Sequence, residues 1–180
     1  MATVFSHGIA AVALGKVLTA GRMPMRFWVA TVACAMLPDI DVIGFTFGIS
    51  YEDMLGHRGL THSISFAFLL SIVTVLLLFQ DTSLFSSTGM VLIVYFFIVT
   101  ASHGVLDAMT NGGLGVAFFA PFSNTRYFLP WRPIEVSPIG LDFFFTRRAL
   151  AVIVSEIKWI WIPSALVLAI VFFWRKQGLK

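Results

Sequence analysis

Charge is what this chain has least of. Lysine, arginine, aspartate and glutamate make up 12% of its 180 residues, about half the share found in ordinary soluble domains. Hydrophobic residues make up 58%, and the mean hydropathy is +0.92. That deficit excludes a water-soluble globule with a charged shell, and it makes the bilayer the main solvent. The 12 basic residues barely outnumber the 9 acidic ones and form no basic stripe, which excludes a nucleic-acid footprint; no nucleic-acid partner is expected. Cysteine is nearly absent. Cys34 alone cannot form an internal disulfide, and its place in an apolar run reads as packing. The N-terminus lacks a basic segment and carries His7 inside its first apolar stretch, which argues against a cleaved signal peptide. No repeat or low-complexity segment is visible.

Apolar stretches are what the chain does have: Thr3 to Ala20, Phe27 to about Leu37, Ile64 to Phe79, Met90 to Met109, and Ala149 to Trp174. A membrane-crossing helix needs about 20 apolar residues, so four or five crossings consume the chain and leave no room for a soluble domain. The expected fold is all-α: a polytopic membrane helix bundle of about five helices, residues 1–180 forming one domain, with a metal site at one end. The second stretch is short before Pro38; as a full span it must continue through Asp39 and Asp41 toward Phe47, and a break is expected at the proline, because a proline and two carboxylates at that depth need protein or water around them. The linker over residues 110–148 holds Gly112, Gly113, Gly115, four prolines and many aromatics. This composition suits a long loop at headgroup level, lying over the site.

Threading these stretches back and forth gives every helix end an address. His7, Asp39 with Asp41, His57 with His62, and His103 with Asp107 all fall on one side, and these are all four histidines of the chain. In His103-Gly-Val-Leu-Asp107 the imidazole and carboxylate stand at i and i+4 on one helix face, about 5–6 Å apart at Cβ; alone, that pair is as well read as a simple hydrogen bond. Asp39 and Asp41 lie two residues apart, and only a turn aims both the same way. His57 and His62, five apart, need a bent segment to point inward together. Each ionisable group in the middle of a membrane costs roughly 2.5–3.5 kcal/mol on insertion scales, whereas a bound structural zinc contributes about 10–16 kcal/mol. Mixed histidine and aspartate ligands suit Zn²⁺, Mn²⁺ or Fe²⁺. The candidate ligands His7, Asp39, Asp41, His57, His62, His103 and Asp107 outnumber the four of a closed structural zinc site, which favours two ions with positions left for water.

These residues also carry a resemblance. The order His7, P-D-x-D (Asp39, Asp41), H-R-G-x-T-H-S (His57 to Ser63), H-x-x-x-D (His103, Asp107), then Thr110, Gly112, Gly113, Pro121 and Phe122 resembles the YdjM-type family over roughly residues 1 to 145. That resemblance implies a membrane-bound, metal-dependent hydrolase. More distantly, the ligand order is similar to the zinc-dependent phospholipase C and single-strand nuclease superfamily, which implies His7, Asp39 or Asp41, His62, His103 and Asp107 as ligands. No histidine follows His103, and residue 1 is Met1 rather than tryptophan, so two zinc ions is as far as the likeness reaches.

The function expected from the sequence is a two-metal phosphoesterase acting on a phospholipid or lipid-linked phosphate, since two metals clamp the attacking and leaving oxygens of an in-line displacement. Asp39, Asp41 and Arg58 are the candidate catalytic residues. Arg58, Arg126 and Arg132 are candidate substrate clamps, because a guanidinium fork matches phosphate oxygens, although ordinary interfacial arginine is the plainer reading of the last two. The competing readings are a metal-ion or proton pathway and a structural metal staple in an interaction module. The expected location is the inner, cytoplasmic membrane, multi-pass, with the site facing outward.

Overall fold

In the computed structural model the described residues are 1–139 and 147–178. Among the described residues there are five long helices, α1 Val4–Leu18, α2 Met25–Phe47, α3 Ile64–Leu78, α4 Ser87–Ala108 and α5 Arg147–Lys176, and a short 3-10 turn at Leu60–His62. Among the described residues the only strand-like features are two isolated bridges, Thr110 with Ile134 and Val116 with Tyr127.

The caps are local and legible. Ser63 accepts from the Phe66 N–H to start α3, and Ser86 accepts from the Gly89 N–H to start α4, each filling one of the orphan donors of a helix N-terminus. Three helices, α2, α4 and α5, are long and apolar enough to cross a membrane. With 15 residues each, α1 and α3 reach only about 22 Å at 1.5 Å per residue, short of the roughly 30 Å hydrocarbon layer.

Helix α2 does not end at Pro38. Its α winding stops at Met36, and a tighter 3-10 winding carries the chain from Leu37 to Phe47. Pro38 enters at the first turn of that segment, where its missing N–H and fixed φ are tolerated. The break expected at this point is therefore a change of winding, and it keeps the carboxylates of Asp39 and Asp41 inside the protein.

The apolar core lies among α2, α3 and α4, around Phe27, Val75, Phe96 and Val99. Helix α1 packs on α2 and α5, and α3 packs chiefly on α4. Close approach of α1 depends on Gly15, where a Cβ would lie 2.6 Å from the Tyr95 hydroxyl. Helix α5 is peripheral: only 6% of its most apolar window is buried within the protein. It passes through a wider π-type turn at Ile157–Trp161, just after the buried Glu156.

Candidate metal centre

Four elements meet at one end of the bundle. Helix α1 brings His7, the 3-10 part of α2 brings Asp39 and Asp41, the linker ahead of α3 brings His57, Arg58 and His62, and α4 brings His103 and Asp107. All eight side chains are buried.

Asp39, His62, His103 and Asp107 each offer one ligand atom, and those atoms lie within 4.8 Å of one another. The Nε2 atoms of His62 and His103 stand 3.0 Å apart. Asp39 Oδ1 is 3.5 Å from the first and 3.3 Å from the second, and Asp107 Oδ2 is 3.5 Å from His62 Nε2. The tautomer of His103 is set by its other nitrogen, since Nδ1 donates to the Ala35 carbonyl at 2.7 Å. Its Nε2 therefore faces the cluster with a free lone pair, the arrangement seen for metal-ligating imidazoles. Both oxygens of Asp39 and Oδ2 of Asp107 are enclosed without a hydrogen-bond partner, a costly state for a carboxylate in a low dielectric. The donor set and its orphaned oxygens fit a divalent transition ion, and these buried groups could hold one.

Charge points the same way. Three enclosed carboxylates, Asp39, Asp41 and Asp107, face one enclosed guanidinium, Arg58, and burial lowers the pKa of the Met1 amine near them. Burial also works to lower His62, but the close carboxylates of Asp107, Asp39 and Asp41, at 3.1–3.5 Å, outweigh it and push its pKa up to about 10. The cluster draws a positive charge to its centre.

The two aspartates of P-D-I-D are given different neighbours. Asp41 accepts from the His57 Nδ1–H at 2.7 Å, the Arg58 backbone N–H at 3.1 Å and the Thr61 hydroxyl at 2.6 Å, and its Oδ2 is 3.1 Å from His62 Nδ1. It thus braces His62 from behind, as carboxylates behind metal-bound histidines do. Asp41, His57 and His62 also form a second possible ligand group, though with both Asp41 oxygens already engaged. His7 lies at the rim. Its ring stacks on His103 at 3.7 Å, and its Nε2 is 3.4 Å from Asp107 Oδ1.

The three arginines named from sequence occupy three different settings. Arg58 is fully enclosed: Nε is 3.0 Å from Asp107 Oδ2, and its terminal nitrogens donate to the Gly112 carbonyl and the Thr110 hydroxyl, each at 3.0 Å. Its backbone has φ 62°, a left-handed conformation uncommon outside glycine. Arg126 is half-buried and donates to the carbonyls of His57, Tyr51 and Asp53, which ties residues 110–139 to the ligand-bearing linker. Arg132 is exposed and lies over the Phe128 ring.

Two supports were not visible in sequence. The Ala35 carbonyl is one; backbone acceptors carry no residue signature. The other is Glu156, which accepts from the Thr3 N–H, the Thr3 hydroxyl and the Ser6 hydroxyl, while the Trp161 indole N–H donates to Ser6 Oγ. This holds the start of α1 in place, where the Ala2 N–H donates to Asp107 Oδ1 at 2.8 Å. A carboxylate in the last apolar stretch was the available signal. Glu156→Ala is expected to strand these donors, at a cost of about 1–3 kcal/mol, readable as a lower midpoint of unfolding in detergent.

A family model described as "YdjM inner membrane protein" matches residues 1–178. The chain belongs to this family. It is 38% identical over 178 residues to the Escherichia coli (strain K12) protein called Inner membrane protein YbcI, covering 98% of this chain and all of that relative. No solved structure matches. With three helices able to cross a bilayer, this YdjM-family chain is a multi-pass inner membrane protein.

Proposed function

We propose that this YdjM-family chain is a metal-dependent phosphoesterase whose substrate is a phospholipid or lipid-linked phosphate. The observation that carries the reading is the convergence of Asp39, His62, His103 and Asp107, whose inward carboxylate oxygens have ion-pair neighbours at 3.0–3.5 Å but no hydrogen bond of proper geometry. Those four residues would hold one ion, preferentially Zn²⁺ given the mixed N and O donors, with Mn²⁺ or Fe²⁺ as the alternatives. The chemistry such an ion supplies when bound is Lewis acidity toward a phosphoryl oxygen and a water acidic enough to attack near neutral pH. The protein's own part is positional. Ala35 and Asp41 fix the two imidazoles, Arg58 and the Ala2 N–H steady Asp107, and the surrounding helices exclude bulk water. A second ion would have to use Asp41, His57 and His62.

The test is metal analysis together with turnover. Protein purified with zinc present is expected to retain about one ion per chain and to release a phosphate-bearing headgroup from vesicles of inner-membrane lipid. Wild type holding no transition metal under those conditions sinks the reading. With His62 protonated up to about pH 10 in the metal-free cluster, loading at pH 8 is expected to expel roughly one proton, since ligands must be deprotonated. Titration calorimetry in two buffers of different ionisation heat would measure it; identical heats in both would contradict the ligand set. A metal-ion pathway would instead show metal-dependent flux into liposomes without headgroup release.

A further inference from the structure

A cavity of about 230 Å³ adjoins the metal centre, lined by Met1, Tyr51, His57, Ser137, Ile139 and Arg148 together with Gly113. It is set apart from the cavities between the helices by having His57 and an arginine in one lining. His57 is its link to the cluster. The Nδ1–H of that ring is spent on Asp41 at 2.7 Å, so Nε2 carries a lone pair, and Nε2 is enclosed with no hydrogen-bond partner. An acceptor of this kind needs a ligand that brings a hydrogen. Arg148 also lines it, exposed and without an ion pair among the described residues, a cation able to grip an anion with its fork. The backbone wall at Gly113 has φ 86°, and a Cβ there would lie 2.8 Å from the Tyr51 hydroxyl and 3.0 Å from Arg58. A side chain at residue 113 would therefore displace Tyr51 or Arg58.

We propose that this cavity seats a phosphate ester that bears a hydroxyl, the phosphate against Arg148 and the hydroxyl donating to His57 Nε2. The pairing of one cation and one lone acceptor selects against a quaternary ammonium headgroup, which has no hydrogen to give. Val136 and Ile139, on the half-apolar side of the cavity, suit the glycerol carbons of such an ester. The inference rests on the phosphoesterase reading for its relevance, but binding can be measured without turnover.

The experiment uses full-length, zinc-loaded protein in detergent. Glycerol phosphate, inorganic phosphate and phosphocholine are compared by calorimetry, and phosphatidylglycerol is compared with phosphatidylcholine by native mass spectrometry. Glycerol phosphate is expected to bind at least about tenfold more tightly than phosphocholine. Arg148→Gln, a surface change that leaves metal content intact, is expected to weaken it about tenfold or more, as a lost charge-assisted contact would. His57→Phe is expected to remove the preference over inorganic phosphate; His57→Gln, which retains a polar side chain, guards against misfolding as the cause. Retention of phosphatidylglycerol alone identifies the source as lipid, whereas soluble ester alone identifies a free metabolite; either supports the seat. Absence of binding by every hydroxyl-bearing ester, or equal binding by wild type and Arg148→Gln, overturns it. Binding without any hydrolysis keeps the seat and removes the phosphoesterase reading.

Discussion

Asp39→Asn is expected to lower zinc affinity by at least about 100-fold and to abolish turnover, while leaving the bundle folded. Asp39 makes no hydrogen bond of proper geometry through either oxygen and only 3.3–3.5 Å contacts to His62 and His103, so asparagine removes charge at little structural cost. Asp41→Asn is the informative contrast. That carboxylate is engaged by His57, Arg58 and Thr61 and stands behind His62, and losses of such supporting groups cost about 10–100-fold in metal affinity. Its loss also disturbs the linker, so stability should fall as well. Competition with a chromophoric chelator gives the affinities, and near-ultraviolet circular dichroism reports the fold. Equal affinities for the two variants would mean that the geometry misassigns which carboxylate faces the ion.

Arg58→Met is expected to destabilise the metal-free protein by about 3–5 kcal/mol, the usual consequence of leaving one member of an enclosed ion pair alone. The guanidinium is the nearest positive charge to Asp107 Oδ2 and also ties Thr110 and Gly112 to the ligand-bearing linker. Arg58→Lys should recover part of the loss, because it restores the charge but not the fork that reaches three partners. An arginine used only to hold a substrate phosphate would show the opposite: unchanged unfolding in detergent and a weaker apparent affinity for substrate. Denaturant titration of the apo protein separates the two outcomes.

The bundle was legible because apolar run length is a strong signal; four of the five helices begin and end within three residues of the runs, and α2 alone runs on, ten residues past Leu37. The meeting of His7, His57, His62 and His103 was legible for a related reason: alternate threading of five helices leaves only two sides on which a residue can fall. Two local features were not. Pro38 reads as a break, but at the start of a tighter turn it breaks no backbone hydrogen bond, so the chain continues to Phe47. The different surroundings of Asp39 and Asp41 depend on that winding, which no side-chain pattern announces. Glu156 and the Ala35 carbonyl act from segments that the sequence marks only as apolar. Their contribution appears once α5 and α1 are packed.

The change of winding in α2 has a further consequence. Successive residues turn by about 120° in a 3-10 helix and about 100° in an α-helix, so two positions two residues apart differ by about 40° between the forms. Ile40 and Ile43 fall in one outward row, and the carboxylates that flank Ile40 are splayed to either side of His62. Pitch, rather than chemical identity, gives two identical side chains unlike surroundings. A swap that relaxed this segment to ordinary α winding would turn one of them toward lipid without altering a single atom of the four-residue cluster's composition.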